Sequence, residues 1–104
     1  MQYSLVYVTT GSLEEASKLA REIVGAKLAA CANILGEIKS VYWWEGKLEE
    51  GREAALIFKT RSDLVEALTA KIKELHSYSC PCVVALGIEG GNTDFFRWID
   101  KETM

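Results

Sequence analysis

The segment "IKSVYWWEGKLEEGREAALIFKT", residues 38–60, decides the fold of this chain. Its β-branched and aromatic residues favour two pleated strands, and its glycines mark turns. We predict a β-hairpin that turns at Glu45 and Gly46. Glu50 and Gly51 form the competing turn, because Glu-Gly is a weaker turn signal than Asn-Gly.

The segments on either side of this hairpin predict helices and a further strand. Residues 2–10 are rich in Tyr, Val, Leu and Thr, which favour a largely buried strand. Ser12 and Glu15 then form a capping box at the start of a helix. Ser62 is expected to cap a second helix, and Thr93 is expected to cap a short C-terminal helix.

Residues 83–89, "VVALGIE", supply the fourth predicted strand. The order is then strand, helix, strand, strand, helix, strand, followed by the C-terminal helix. This order is typical of an α+β ferredoxin-like split βαβ sandwich, in which two helices cover one face of an antiparallel sheet. We assign residues 1–104 to this single domain.

The returning strand of the hairpin is long for a domain of this size. If residues 47–60 are continuous they reach about 46 Å, whereas the radius of gyration of such a domain is only about 13 Å. Part of the hairpin should therefore overhang, unless a bulge or turn near Gly51 folds it back over its own sheet. We predict an obligate homo-oligomer that covers the apolar side chains of the hairpin: Tyr42, Trp43, Trp44, Leu48 and Leu56.

Composition and charge narrow the classes of function. The formal net charge is -3 and the acidic and basic residues are interleaved, which argues against nucleic acid and anionic membranes as partners. The opening residues show no export leader, and no apolar run approaches the roughly 20 residues that span a bilayer. We therefore expect a cytoplasmic protein whose cysteines are reduced thiols.

The segment "LHSYSCPC", residues 75–82, holds the only histidine, the only proline and two of the three cysteines. Side chains two residues apart on a strand face the same way, so Cys80 and Cys82 present two sulfurs together. With His76 they would suit Cu(I) or Zn(II), and Cys31 would supply a fourth ligand if its strand lies close. A Cys80–Cys82 disulfide is not expected, because an extended Cys-Pro-Cys separates the two Cα atoms by about 6.6 Å.

Two other interpretations of these residues stay open. Cys31 and Cys82 are also typical of small buried apolar residues, and His76 is typical of the C-terminal end of a helix, where positive charge is favourable. A thiol switch is the remaining interpretation. The sequence places no nucleophile within reach of a base, so we do not expect an enzyme.

The motifs "KLAACANI", "SVYWWEGKLEEGRE", "FKTR", "LHSYSCP" and "FFRW" follow one another between residues 7 and 98. In this order they resemble the CutA divalent-cation tolerance family. The resemblance implies a small cytosolic ferredoxin-like protein that forms stable trimers through its extended hairpins. It also implies a link to copper and other divalent metals, no established reaction, and an architecture similar to the PII signalling proteins, which hold small effectors between subunits.

The resemblance further assigns candidate residues to a cleft between subunits. Family members generally carry His-Pro-Tyr followed by Pro-Glu, whereas this chain has Ser77 in place of the first proline and Cys82 in place of the glutamate. The added thiol shifts the expected metal preference toward softer ions. The matching cleft positions are Cys31, Asn33, Tyr42, Trp44, Glu45, Lys47, Glu53, Lys59, His76, Tyr78 and Pro81.

The leading functional hypothesis is a non-enzymatic homotrimer that takes part in the response to, and tolerance of, divalent metal ions. It requires no cofactor, and its expected ligand is copper or another divalent metal ion, bound by Cys31, His76, Cys80 and Cys82. The alternative is a PII-like signalling module that binds a small anionic ligand in the cleft between subunits. That ligand would contact Lys47, Lys59 and neighbouring backbone groups.

Overall fold

A computed structural model describes residues 2–104. Four strands form one antiparallel sheet in the order β2-β3-β1-β4, which confirms the predicted ferredoxin-like α+β fold. The assignment of residues 1–104 to a single domain stays a prediction, and residue 1 lies outside the described residues. The elements are β1 (Tyr3–Thr10), α1 (Leu13–Gly25), β2 (Cys31–Trp44), β3 (Lys47–Arg61), a 3-10 turn (Ser62–Leu64), α2 (Val65–Leu75), β4 (Val83–Ile88) and α3 (Thr93–Glu102).

The main core lies between the sheet and the helices α1 and α2. Side chains alternate between the two faces of a strand, so the even-numbered residues of β1 and β3 share the face that these helices cover. The other face is the open face of the sheet. Helix α3 covers only one end of this open face. The ring of Tyr3 stacks there on the ring of Phe96, with the ring centres 4.7 Å apart, and the Tyr3 hydroxyl donates a hydrogen bond to Asp100 at 2.8 Å. The central core residues are Val6, Val8, Leu19, Ile23, Leu56, Phe58, Leu68 and Ile72. The prediction that another subunit covers Leu56 is wrong, because Leu56 pairs with Val8 of β1 and is 0% exposed within its own protomer.

The hairpin turns at Glu45 and Gly46, as predicted. Both residues have positive φ angles, 50° and 79°, and this backbone matches the right-handed twist of the flanking strands. The competing prediction, a turn at Glu50 and Gly51, is wrong, because these residues pair with Val41 and Ser40 inside the ladder. Among the described residues, no helix is long and apolar enough to cross a membrane.

Half of the hairpin extends beyond the rest of the sheet. β1 pairs with β3 only from Ala54 to Arg61, so residues 47–53 of β3 pair with β2 alone. We call residues 38–44 and 47–53 the overhanging ribbon. The molecule measures 45 Å along its longest axis and only 25 and 22 Å across it. The ribbon does not fold back near Gly51, and the side chain of Trp43 is 72% exposed. The predicted oligomer itself stays a prediction.

The N-terminal end of α1 follows the predicted capping box in part. The Ser12 hydroxyl accepts a hydrogen bond from the Glu15 N–H at 3.1 Å, as predicted. The Glu15 carboxylate, however, accepts from the Gly11 N–H at 3.1 Å rather than from the Ser12 N–H. Glu15 therefore binds the loop before the helix as well as belonging to it.

The two other predicted helix caps are wrong. The Ser62 hydroxyl shares a hydrogen bond with the Ser4 hydroxyl at 2.7 Å, and α2 instead starts from a 3-10 turn without a side-chain cap. The cap of α3 is Asn92, whose side chain accepts from the Asp94 N–H at 3.0 Å, and Thr93 is already helical. The hydroxyl of Ser62 is engaged by Ser4, which is distant in the sequence, whereas at α3 the adjacent Asn92 provides the capping oxygen in place of Thr93.

The two Glu-Gly pairs of the hairpin allow a matched test of the turn. Gly46→Ala should lower the free energy of unfolding by about 1 kcal/mol, because alanine is strained at a positive φ. Gly51→Ala should leave it nearly unchanged, because Gly51 lies in the ladder and an added Cβ meets nothing within 4 Å. Guanidinium unfolding at equal protein concentrations measures both, and equal midpoints for the two variants would contradict the assigned turn.

Candidate functional site

The candidate site is a groove of about 560 Å³ on the open face, between the overhanging ribbon and residues 78–82. We call it the thiol groove. Strand β1 contributes the floor at Thr9, and the segment before β4 contributes one wall. The lining residues are Thr9, Ser40, Tyr42, Trp44, Glu53, Tyr78, Ser79, Cys80 and Cys82.

A β-bulge determines which aromatic side chains enter this groove. Along β2, Ile34 pairs with Leu56 but Gly36 already pairs with Ala55, so Leu35 is left without a partner. The extra residue shifts the alternation of all later β2 side chains by one position. Tyr42 and Trp44 therefore share the open face, whereas Trp43 points to the opposite face.

Tyr78 connects the two walls of the groove. Its hydroxyl donates a hydrogen bond to the Glu53 Oε2 at 2.8 Å. Burial raises the pKa of Tyr78 strongly, and the hydrogen bond to Glu53 and the negative charge of that carboxylate raise it further. Tyr78 therefore stays neutral and keeps donating to Glu53 at neutral pH.

His76 lies directly behind Tyr78 and is fully engaged. Its Nε2 lies 2.7 Å from the Thr9 carbonyl oxygen, which only accepts, and its Nδ1 lies 3.0 Å from the Tyr78 N–H, which only donates. These two partners match the tautomer that carries its hydrogen on Nε2. The side chain is 0% exposed. A metal would bind His76 only if one of these two hydrogen bonds broke.

The backbone of His76 ends α2, as one of the sequence interpretations expects. Its N–H donates to the Ile72 carbonyl at 2.8 Å, so His76 is the C-terminal cap of the helix. The imidazole itself contacts Thr9 of β1 rather than the last carbonyls of the helix. The side chain thus joins the helix end to the central sheet.

Glu15 fixes the start of the same loop and was not identified as a site residue from the sequence. Its carboxylate accepts hydrogen bonds from the Ser77 N–H and the Ser77 hydroxyl, both at 2.9 Å, besides the one from Gly11. Burial acts to raise the pKa of Glu15, but the hydrogen bonds from Ser77 and Gly11 outweigh it and lower the pKa overall. The capping-box pattern was the one signal in the sequence that pointed to Glu15.

The cysteines of the groove differ in exposure. Cys82 is half-buried and Cys80 is exposed. Burial raises the pKa of the Cys82 thiol and the Glu53 charge raises it further, whereas a hydrogen bond with the Thr9 side chain lowers it in part. All three cysteines of the chain are free thiols.

Cys31 does not join the groove. It pairs with Lys59, whereas Thr9 of the groove pairs with Ala55, so the two positions are separated by about 13 Å along the strands. Burial raises the pKa of Cys31, although the charge of Lys59 acts in the opposite direction. Within residues 2–104 no group of three or more His, Cys, Asp or Glu side chains is placed to hold a metal ion. The predicted four-residue metal set stays a prediction that a single protomer does not assemble.

The predicted cleft residues divide between the groove and two distant places. Tyr42, Trp44, Glu53 and Tyr78 line the groove, and Pro81 lies between its two cysteines.

Apart from His76, which lies behind Tyr78, the other cleft residues lie at the hairpin tip or around Lys59. Glu45 occupies the turn, and Lys47 starts β3 beside it. Lys59 lies about 40 Å farther along β3, where its amine donates to the Asn33 side chain at 2.8 Å and lies 5.7 Å from the ring centre of Phe95. A small anion cannot contact both lysines of one protomer.

The Tyr78–Glu53 hydrogen bond is testable by removing one hydroxyl. Tyr78→Phe should lower the free energy of unfolding by about 2 kcal/mol, because a hydrogen bond to a charged carboxylate is lost. Tyr7→Phe is the matched control, since the half-buried Tyr7 hydroxyl makes no hydrogen bond to any side chain or backbone group of residues 2–104. Denaturant unfolding compares the two, and an equal loss in both variants would show that the bond contributes nothing specific.

The lowered pKa of Glu15 predicts a dependence of stability on pH. A carboxylate whose pKa is lower in the folded state stabilises the protein above its ordinary value of 4.5, and this contribution is lost as the pH falls through the lowered value. Glu15→Gln should therefore destabilise the protein at pH 7 and have a much smaller effect in acid. The exposed neighbour Glu14 in the same helical turn gives the control variant Glu14→Gln. Thermal unfolding over a pH series would contradict this assignment if both variants showed the same profile.

Comparison with known proteins places the chain in one family. The model of the family described as CutA1 divalent ion tolerance protein matches residues 4–102. The divalent-cation tolerance protein CutA of Archaeoglobus fulgidus is 46% identical over 99 residues, which are 95% of this chain and 96% of that protein. The chloroplastic protein CutA 1 of rice, Oryza sativa, is 48% identical over 95% of this chain, which spans 56% of the rice protein.

A solved structure agrees with these sequence matches. The structure described as the periplasmic divalent cation tolerance protein CutA from Archaeoglobus fulgidus superposes with a TM-score of 0.93 at 45% identity, covering 96% of this chain and 97% of that one. Identity at this level over nearly the whole length confirms the resemblance found in the motifs. The chain described here belongs to the CutA1 divalent ion tolerance family.

Proposed function

We propose that this chain acts as a non-enzymatic homotrimer in the response to, and tolerance of, divalent metal ions, and that it binds copper. The family description names tolerance of divalent ions and no reaction. The observation that carries the proposal is the thiol groove, where Cys80 and Cys82 lie in one concave surface with the Glu53 carboxylate. Thiolates favour soft and borderline metals, and the carboxylate adds negative charge that attracts a cation.

The apolar open face supports an assembly of identical chains. On the edge strand β4, Val84 and Leu86 are 50% and 58% exposed, and the overhanging ribbon adds Trp44, which is 47% exposed on the same face. Apolar side chains on an unpaired edge strand invite pairing or aggregation unless another chain covers them. We propose three subunits because the hairpin motifs resemble those of the CutA family, and this resemblance implies a trimer.

We also propose that the protein works in the cytoplasm. Its three free thiols suit a reducing compartment, where cysteines persist without forming disulfides. The descriptions of relatives name other places, periplasmic for the Archaeoglobus fulgidus structure and chloroplastic for the rice protein. Fractionation of the native host, with immunodetection of the untagged protein, would place it, and recovery in an export fraction would overturn this part.

The assembly is testable by light scattering coupled to size-exclusion chromatography. The wild-type protein should elute as a trimer at micromolar concentration, and Leu86→Lys should shift it to smaller species, because a charge would be buried at the contact. Leu13→Lys is the control, since Leu13 is 43% exposed at the start of α1. A stable wild-type monomer would refute the proposed assembly.

Copper binding is testable by calorimetric titration of the reduced protein. Copper should saturate one site per protomer, and Cys82→Ser should abolish this binding, because the thiol inside the groove is lost. Cys31→Ser should bind as the wild type does, since Cys31 lies outside the groove. Binding only at millimolar copper, or equal binding by both variants, would contradict the proposed site.

A further inference from the structure

We propose that Cys80 and Cys82 together form a two-thiolate site that selects soft monovalent cations, with Cu(I) as the ligand, over divalent ions. This inference rests on the proposed function, because it assigns the copper of that proposal to two sulfur atoms and one oxidation state. The inference concerns the two thiols that residues 80 and 82 of this chain bring to one groove.

The backbone places both sulfurs on the same groove. The antiparallel register of β1 and β4 pairs Val8 with Val83, and its continuation sets Cys82 opposite Thr9. Cys82 thus faces the open side of the sheet together with Thr9, and Cys80 lies two residues earlier along the same wall. Pro81 between them has a fixed φ angle, which limits how far the two side chains can diverge.

The other candidate ligands either have hydrogen-bond partners of their own or lie outside the groove. Both ring nitrogens of His76 have hydrogen-bond partners. The Glu53 Oε2 accepts from Tyr78, and Cys31 is about 13 Å away along the strands. The two sulfur atoms are therefore the first ligands that the groove offers to a cation. Zinc sites in proteins are almost always four-coordinate, whereas Cu(I) is satisfied by two thiolates in a near-linear arrangement.

The spacing of the pair also favours a bridging ion over a disulfide. An extended Cys-Pro-Cys separates the Cα atoms by about 6.6 Å, close to the upper limit for a disulfide. A bridging metal inserts two metal–sulfur bonds, each about 2.3 Å in zinc thiolates, where a disulfide has a single bond of about 2.05 Å. The spacing of the two thiols is therefore better matched to a bridging metal ion than to a disulfide bond.

The binding step balances in charge and protons. Two thiols and one Cu(I) give one S–Cu–S unit that carries a single negative charge, and two protons pass to the buffer. No electron is transferred, so the step needs no oxidant or reductant once copper is supplied as Cu(I). Calorimetry in buffers of different ionisation enthalpy measures the number of protons released.

The test is an anaerobic competition for Cu(I) against a chromophoric Cu(I) chelator. The wild-type protein should withdraw one Cu(I) per protomer, and excess Zn(II) should not displace it. Cys80→Ser and Cys82→Ser should each lose this stoichiometric binding, whereas Cys31→Ser should keep it. Undiminished Cu(I) binding by Cys80→Ser, or displacement of Cu(I) by Zn(II), would overturn the inference.

X-ray absorption at the copper edge tests the unaltered protein and so avoids any variant that fails to fold. Two sulfur neighbours and no nitrogen shell are expected, and a spectrum with imidazole scattering would overturn the inference. The outcome also separates this inference from the proposed function. If Cu(II) or Zn(II) saturates the groove and Cys80→Ser has no effect, metal binding stands and the two-thiolate site fails. If no metal binds in either oxidation state, the proposed copper binding fails as well.

Discussion

The hydrogen-bonded ladder between β2 and β3 is the constraint on which the rest of the structure depends. It continues from Cys31 to Trp44 with one bulge, far beyond the strands that flank it. Its inner half completes the sheet over the helical core, and its outer half pairs with no other strand of the sheet and leaves aromatic side chains exposed. The same ladder therefore builds the domain and creates the surface that another chain is proposed to cover.

A second set of contacts holds the segment between α2 and β4 against this ladder. Glu15 binds Ser77, His76 binds Thr9, and Tyr78 reaches across to Glu53. Each of these hydrogen bonds joins residues that are far apart in the sequence. These contacts hold a segment without regular structure in one position. A site with few ligands benefits from this, because side chains that are already fixed lose less conformational entropy when an ion binds.

The thiol groove also shows how a family framework can carry a site of different chemical character. The fold and the hairpin motifs are those of the divalent ion tolerance family. At position 82, however, this chain carries a soft thiol, and the carboxylate that lines the same groove, Glu53, accepts from Tyr78. Changing one donor atom in a rigid wall alters which ion the wall prefers without altering the fold.

The sequence by itself determined the order of elements and the family, and it favoured the turn at Glu45 and Gly46 and the overhang, because these depend on local propensities, strand length and motif order. Only the tertiary structure decided which side chains share the groove. The bulge at Leu35, beside Gly36 with its positive φ of 104°, reverses the facing of the ribbon, a single-residue shift that the sequence reasoning did not identify. The state of His76 depends on partners in β1 and at Tyr78, and the separation of Cys31 from Cys82 depends on strand register. Contacts between distant residues are fixed by packing of the whole sheet, so local sequence signals cannot specify them.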